Sequence, residues 1–223
     1  MQLSITLVFV IITCIVSISA FSQHKIMDDL IFYPPAISKR RQFYRFISHG
    51  FIHADAMHLA FNMIALYSFG EGLETVFGFP CVFGEKGRIF YLLLYFSALV
   101  IASLPDYLKY KDSYHFRSLG ASGAVSAVVF SMIIFFPQSP IGLIFLPIRI
   151  PGYIFAIIYL GITVYLDRRG GGRINHSAHF WGAAYGIVFT LVFCQLFASD
   201  FDVYENFMAQ LRSTSEDLVL ICQ

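Results

Sequence analysis

The sequence predicts an all-α, polytopic membrane protein built as a six-transmembrane-helix bundle. Two observations carry the prediction. Hydrophobic residues make up 57% of the 223 and charged residues only 13%, about half the charge of an ordinary soluble domain. Several apolar runs also approach the roughly 20 residues that cross a bilayer, and in hydrocarbon only helices and closed barrels satisfy their own backbone. A net charge of +1 gives no reason to expect nucleic acid as a partner. The four cysteines, Cys14, Cys81, Cys194 and Cys222, lack Cys-x-x-Cys spacing and suggest neither a disulfide framework nor a structural zinc site.

Residues 3–21 form an uncharged apolar run, read as the first membrane helix. No Lys or Arg precedes it, unlike the positive start of a signal peptide, although Ser17, Ser19 and Ala20 could imitate a cleavage site. Residues 23–55 turn polar and mixed, with Pro34, Pro35, the basic cluster Lys39-Arg40-Arg41 and then Phe43-Tyr44-Arg45-Phe46, a composition suited to an interfacial loop. Helix two is expected over 57–76. It carries His58 and Asn62 four residues apart, hence on one face, and polar groups there must meet protein or water.

Helix three is expected over 89–104, between polar connections at 78–88 and 105–118, and helix four over 122–136, closed by Pro137. Residues 140–151 hold three prolines and Arg149, which argues for a loop folded against protein or at the interface. Helix five, 152–166, would measure about 22 Å, short for a span and therefore loosely held. A polar loop over 167–177 contains Gly170-Gly171-Gly172, and helix six follows to Phe197. Residues 1–199 form the membrane-embedded domain and 200–223 a tail too polar to span.

The chain is organised around Leu119-Gly120-Ala121-Ser122-Gly123-Ala124-Val125-Ser126-Ala127. Glycines on both sides of Ser122 let backbone approach closely, and the apolar run behind it sets the serine at the positive end of a helix. The same residues suit a small-residue packing face. Helix six opens with Ala178-His179-Phe180-Trp181-Gly182-Ala183-Ala184-Tyr185-Gly186, in which Gly182 and Gly186 make a small-xxx-small face next to His179. Singly, each feature fits ordinary packing. Together they supply a nucleophile, a base and polar donors, each near the start of its own helix, and alternating topology brings helices two, four and six to one depth.

In these motifs the chain resembles the rhomboid intramembrane serine proteases. Gly120-Ala121-Ser122-Gly123 matches the family's Gly-x-Ser-Gly, His58 to Asn62 its His-x-x-x-Asn, and Ala178 to Gly186 its Ala-His-x-x-Gly-x-x-x-Gly, with Phe51-Ile52-His53 leading into helix two. The resemblance implies a rhomboid-like bundle in which Ser122 and His179 form a catalytic dyad, while Asn62, His58 and the Ser122 amide bind the oxyanion. Gly120, Gly123, Gly182 and Gly186 pack the helices. It further implies transmembrane-protein substrates in the lipid bilayer, no cofactor and no metal, with substrate identity and oligomeric state left open. Two positions depart from the family: Tyr44-Arg45 stands where Trp-Arg often anchors the first loop, and Ser126 stands where some members carry a tyrosine that stacks on the histidine.

Helix five is then the expected lateral gate and Gly170-Gly171-Gly172 the expected lid. The alternative is a catalytically inactive rhomboid-like protein that binds transmembrane helices. A metal hydrolase built on His49, His53, His58, His176 and His179 finds no His-Glu-x-x-His or comparable ligand set. The family's topology puts the amino terminus inside, with eleven cations outside (Lys25, Lys39, Arg40, Arg41, Arg45, Lys109, Lys111, Arg117, Arg168, Arg169, Arg173) and four inside (Lys86, Arg88, Arg149, Arg212), opposite to the positive-inside rule. With no organellar leader evident, the expected location is a bacterial inner membrane.

Overall fold

The computed structural model describes residues 3–143, 146–170, 174–198 and 200–212. In chain order its elements are α1 (Ile5–Ser22), α2 (His24–Leu30), α3 (Pro34–Arg40), α4 (Arg45–Ser48), α5 (Ala56–Phe77), α6 (Gly87–Tyr110), α7 (Ser122–Phe135), β1 (Pro140–Leu143), β2 (Leu146–Pro151), α8 (Gly152–Arg169), α9 (His176–Phe197) and α10 (Val203–Arg212). Three of the helical stretches are long and apolar enough to cross a membrane: Ile5–Ser22, Gly84–Tyr110 and His176–Phe197.

α7 lies at the centre. Only Ser122 and Met132 escape full burial along it, which is why its sequence is apolar on every side rather than striped. At 1.5 Å per residue its 14 residues measure about 21 Å, well short of the roughly 30 Å hydrocarbon thickness. The free carbonyl at its far end is met by α10, where Asn206 Nδ2 and Gln210 Nε2 donate to Phe135 O at 3.1 and 2.6 Å.

Glycines set how closely α9 approaches α7. A Cβ on Gly182 would stand 2.1 Å from Gly123 O, and one on Gly186 2.3 Å from Ala127 O, so the two backbones touch over one full turn. Without a hydrophobic drive between helices in lipid, such close van der Waals contact is what holds them.

The outer helices reverse the polarity of a soluble protein. On α1 the inward face buries Thr6, Thr13 and Ser17 while Ile11, Ile12, Ile15 and Ile18 are exposed. α8 and α9 likewise expose Ile157, Ile158, Ile162, Val188, Val192 and Leu196. Apolar area of that extent on the outside and hydroxyls on the inside fit a lipid solvent. The amino end of α1 is capped by Ser4 Oγ, which accepts from Leu7 N–H at 3.1 Å, and by the Glu74 carboxylate of α5, which accepts from the Ile5 and Thr6 amides at 2.9 and 3.0 Å.

Several expectations are corrected. The polar stretch 23–55 holds three short helices, α2 to α4, because Arg45 of α4 is buried and ties the segment together. Helix three does not stop at Pro105: α6 continues through it to Tyr110, since Pro removes one backbone donor near the helix end and the packed residues Ala102, Ser103 and Asp106 hold the last turns in place. The proline-containing stretch 140–151 forms two antiparallel strands pairing Pro140 with Pro151 and Ile141 with Ile150, a β element in a mostly helical chain. Helix five, α8, is longer than expected at 18 residues, about 27 Å, because its polar last turn Asp167-Arg168-Arg169 stays helical until Gly170 ends it in the positive-φ region. Cys14 and Cys194 are free, but Cys81 is disulfide-bonded, against the expectation. Cys222, Gly171 and Gly172 lie outside the described residues.

Candidate active site

Ser122 opens α7 as its first residue, so its amide is one of the donors that a helix start leaves without an intrahelical partner. The turn before it depends on Gly120, whose φ of 111° lies where L side chains rarely go. A Cβ there would also stand 2.8 Å from His58 Cε1. Gly120 N–H donates to His49 O at 2.9 Å, and Ala121 N–H to His53 Nε2 at 3.4 Å. The segment ahead of α5 therefore holds the backbone that presents the serine.

That second bond assigns the protons of His53. With Nε2 accepting, Nδ1 carries the hydrogen and donates to Ser17 Oγ at 3.0 Å, which donates in turn to Phe51 O at 2.9 Å. Burial, reinforced by the neighbouring His58, holds His53 down at about 3 from its ordinary 6.5. Between those two values the unfolded chain binds a proton that the folded chain refuses, so this stability is complete above pH 6.5 and is lost as pH falls through the window. Thermal melts in detergent are expected to step down across that range, and His53→Gln, which keeps one acceptor and one donor, to shrink the step. A variant with the wild-type pH dependence would refute the assignment.

His58 and Asn62 project from the first turns of α5, which Asp55 starts by accepting from His58 N–H at 2.8 Å. Ala54 N–H approaches His58 Nδ1 at 3.5 Å, leaving Nε2, the atom beside Gly120, to carry the hydrogen. Asn62 is buried and its Nδ2 donates one hydrogen to His58 O at 2.9 Å, leaving the second for the cavity it lines.

His179 stands on the first turn of α9. Asn175 caps that helix, its Oδ1 accepting from Ala178 N–H at 3.0 Å, while its Nδ2 donates to Asp106 Oδ2 at 2.6 Å and Ser118 Oγ at 3.0 Å. Through Asn175 the buried Asp106 joins the end of α6, the loop before Ser122 and the start of α9. Gly182, one turn beyond His179, is the residue against Gly123, so the helix contact brings the serine and histidine turns together.

Ser122, His179, His58 and Asn62 all line one cavity of about 1710 Å³. Phe61, Ile64 and Phe69 of α5 and Phe155, Tyr159 and Leu166 of α8 supply apolar parts of its lining. Among the described residues no group of three His, Cys, Asp or Glu is placed to hold a metal.

The sequence profile of the Rhomboid domain matches residues 40–196, which contain every one of these side chains except Ser17. The chain belongs to the rhomboid family. It is 29% identical over 152 residues to RHOMBOID-like protein 12, mitochondrial, of Arabidopsis thaliana, an overlap of 66% of this chain and 45% of that one. It is 30% identical over 141 residues to the Presenilin-associated rhomboid-like protein, mitochondrial, of Mus musculus (61% and 34%), and over 144 residues to Rhomboid-like protein 15 of Arabidopsis thaliana (59% and 34%). The chain thus spans less than half the length of these relatives.

At Tyr44-Arg45 and at Ser126 specific contacts are found. Arg45 Nη1 donates to Asp28 O and Ile31 O at 2.9 and 2.7 Å and its Nε to Gln42 Oε1 at 2.7 Å, while the Tyr44 hydroxyl donates to Asp29 O at 3.1 Å. Ser126 Oγ bonds the Tyr159 hydroxyl at 2.8 Å, and the Tyr159 ring lies nearly parallel to His179 (12°, centroids 6.3 Å apart). Sequence reasoning missed Tyr159, His53, Asn175 and Asp106 as parts of this site. Asn175 was the one with a local signal, as an Asx residue immediately before a helix.

Proposed function

We propose that this rhomboid is an intramembrane serine endopeptidase that hydrolyses peptide bonds in or beside transmembrane helices of membrane-protein substrates. The observation that carries the proposal is the convergence of Ser122, His179, His58 and Asn62, from the starts of three different helices, on one cavity. Ser122 Oγ attacks the scissile carbonyl as His179 takes its proton, and His179 returns that proton to the leaving amine. Water then opens the acyl-enzyme with His179 again as base. The oxyanion sits between Asn62 Nδ2–H, His58 Nε2–H and the Ser122 amide, fixed donors aimed at developing charge.

We further propose that α1 and α5 to α9 all cross the membrane. α7, at about 21 Å, then starts below the surface, and the cavity carries water down to Ser122. Substrate enters between α5 and α8, both of which contribute apolar side chains to the cavity lining. For the host membrane the two mitochondrial relatives compete with the bacterial inner membrane expected from the sequence. Fractionation of native cells against inner-membrane and mitochondrial markers separates the two.

The test is incubation of the purified protein with single-span substrates in liposomes, reading the cut site by mass spectrometry. A cut within or beside the span is expected. Folded protein that binds but leaves several such substrates intact would make this an inactive, helix-binding rhomboid. Within the active reading, Asn62→Ala is expected to lower kcat by about 10²-fold or more with KM little changed, because the donor acts on the oxyanion rather than on bound substrate. A kcat within a few-fold of wild type would remove Asn62 from the oxyanion site.

A further inference from the structure

Three elements meet at the Tyr159 side chain. The ring belongs to α8, its hydroxyl is bonded at 2.8 Å to Ser126 Oγ of α7, and its face lies against His179 of α9 at 6.3 Å and 12°. Rings at that separation and tilt attract one another and resist rotation. A half-buried imidazole without such a neighbour would turn about its side-chain torsions, and the hydroxyl bond fixes the tyrosine against the most buried helix of the bundle.

We propose that Tyr159 is a positioning residue for His179, held by Ser126, so that the orientation of the base is set from α8. The inference rests on reading Ser122 and His179 as the dyad. Its consequence lies in where the tyrosine stands. α8 buries only Gly152 and Thr163 outright and turns Ile157, Ile158 and Ile162 outward, so of the helices around the cavity it is weakly embedded, and its Phe155, Tyr159 and Leu166 also form part of the cavity wall. A substrate passing that wall leaves the base oriented only when α8 is seated again. Ser126, four residues after Ser122 on the same helix, is too short to reach the imidazole as a ring would; its role is to anchor the ring that arrives from α8.

Steady-state cleavage of a single-span substrate tests this with Tyr159→Phe, Ser126→Ala, their double variant and Tyr159→Leu. Tyr159→Phe and Ser126→Ala each lose one hydrogen bond, and kcat is expected to fall about five-fold in each. The double variant should fall no further than either single, since both remove the same bond. Tyr159→Leu also loses the ring, for about 30-fold or more in kcat. KM should stay within about two-fold in Tyr159→Phe and Ser126→Ala, which keep the ring in the cavity lining, while Tyr159→Leu, which removes it, is read from kcat alone. Melting temperatures near wild type identify the folded variants, and the two conservative changes carry the test if Tyr159→Leu does not fold.

Wild-type kcat in Tyr159→Phe and Ser126→Ala, additive losses in the double variant, or a loss confined to KM would each overturn the positioning role. Failure of the dyad reading shows separately, as cleavage that survives Ser122→Ala.

Discussion

Ser122→Ala and His179→Ala are each expected to lower kcat by about 10⁴-fold or more, to the limit of detection, while leaving the protein folded. In the proposed mechanism the first removes the attacking oxygen and the second the base that takes its proton. Neither change should unfold the bundle: Ser122 is the first residue of α7 and only half-buried, and His179 lies on the cavity wall, not in the α7–α9 contact that Gly182 and Gly186 make. Because the two residues act as one unit, the double variant should be no slower than either single. Substrate should still bind each variant with near wild-type affinity, since the apolar walls of α5 and α8 are untouched. Measured with purified protein in liposomes, activity surviving in Ser122→Ala would end the serine mechanism. Activity surviving in His179→Ala alone would move the base to another group, and His176, whose ring centroid lies 6.1 Å from that of His179, is the first to test.

The parts of this site that were legible in the sequence are those written in local spacing. Gly182 and Gly186 are four residues apart because one helical face must be flat, and His58 and Asn62 because one face must be polar. The rhomboid motifs are combinations of such spacings. Tyr159 was not legible, since it reaches His179 from a different helix and nothing around it on α8 differs from an ordinary lipid-facing stretch. Asp106 was hidden by position: it follows Pro105, where the sequence reads as an exit into a loop, whereas in the fold it stays helical and buried and is bonded to Asn175 of a distant segment. Around His53 the sequence offers no helical spacing to read, although its ring is bonded on both sides. The paired strands β1 and β2 escaped for a related reason, prolines at their two ends obscuring strand pairing that tolerates them there.

Gly182→Val is expected to cost about 3 kcal/mol or more in stability and to abolish activity with it. The argument is geometric. The added Cβ would lie 2.1 Å from Gly123 O and 2.9 Å from Gly123 Cα, and both obstacles are backbone, so no side chain can rotate away. α9 must therefore withdraw from α7 along the very turn that carries Ser122 and His179 toward each other. Withdrawal also opens the contact at Gly186 and the Ser131 Oγ to Gly186 O bond of 3.2 Å. In lipid no gain from burying apolar surface offsets the lost contact, because the exposed helix face is solvated equally well by acyl chains. Gly161 supplies the control: it lies within α8 with nothing inside 4 Å of its would-be Cβ, so Gly161→Ala should leave stability unchanged or raise it by up to about 1 kcal/mol through helix propensity. Unfolding in detergent titrations reads both variants on one scale. If Gly182→Val unfolds no more readily than wild type, the backbone contact between α7 and α9 does not hold the site together, and the meeting of serine and histidine must depend on Asp106, Asn175 and Ser118 instead.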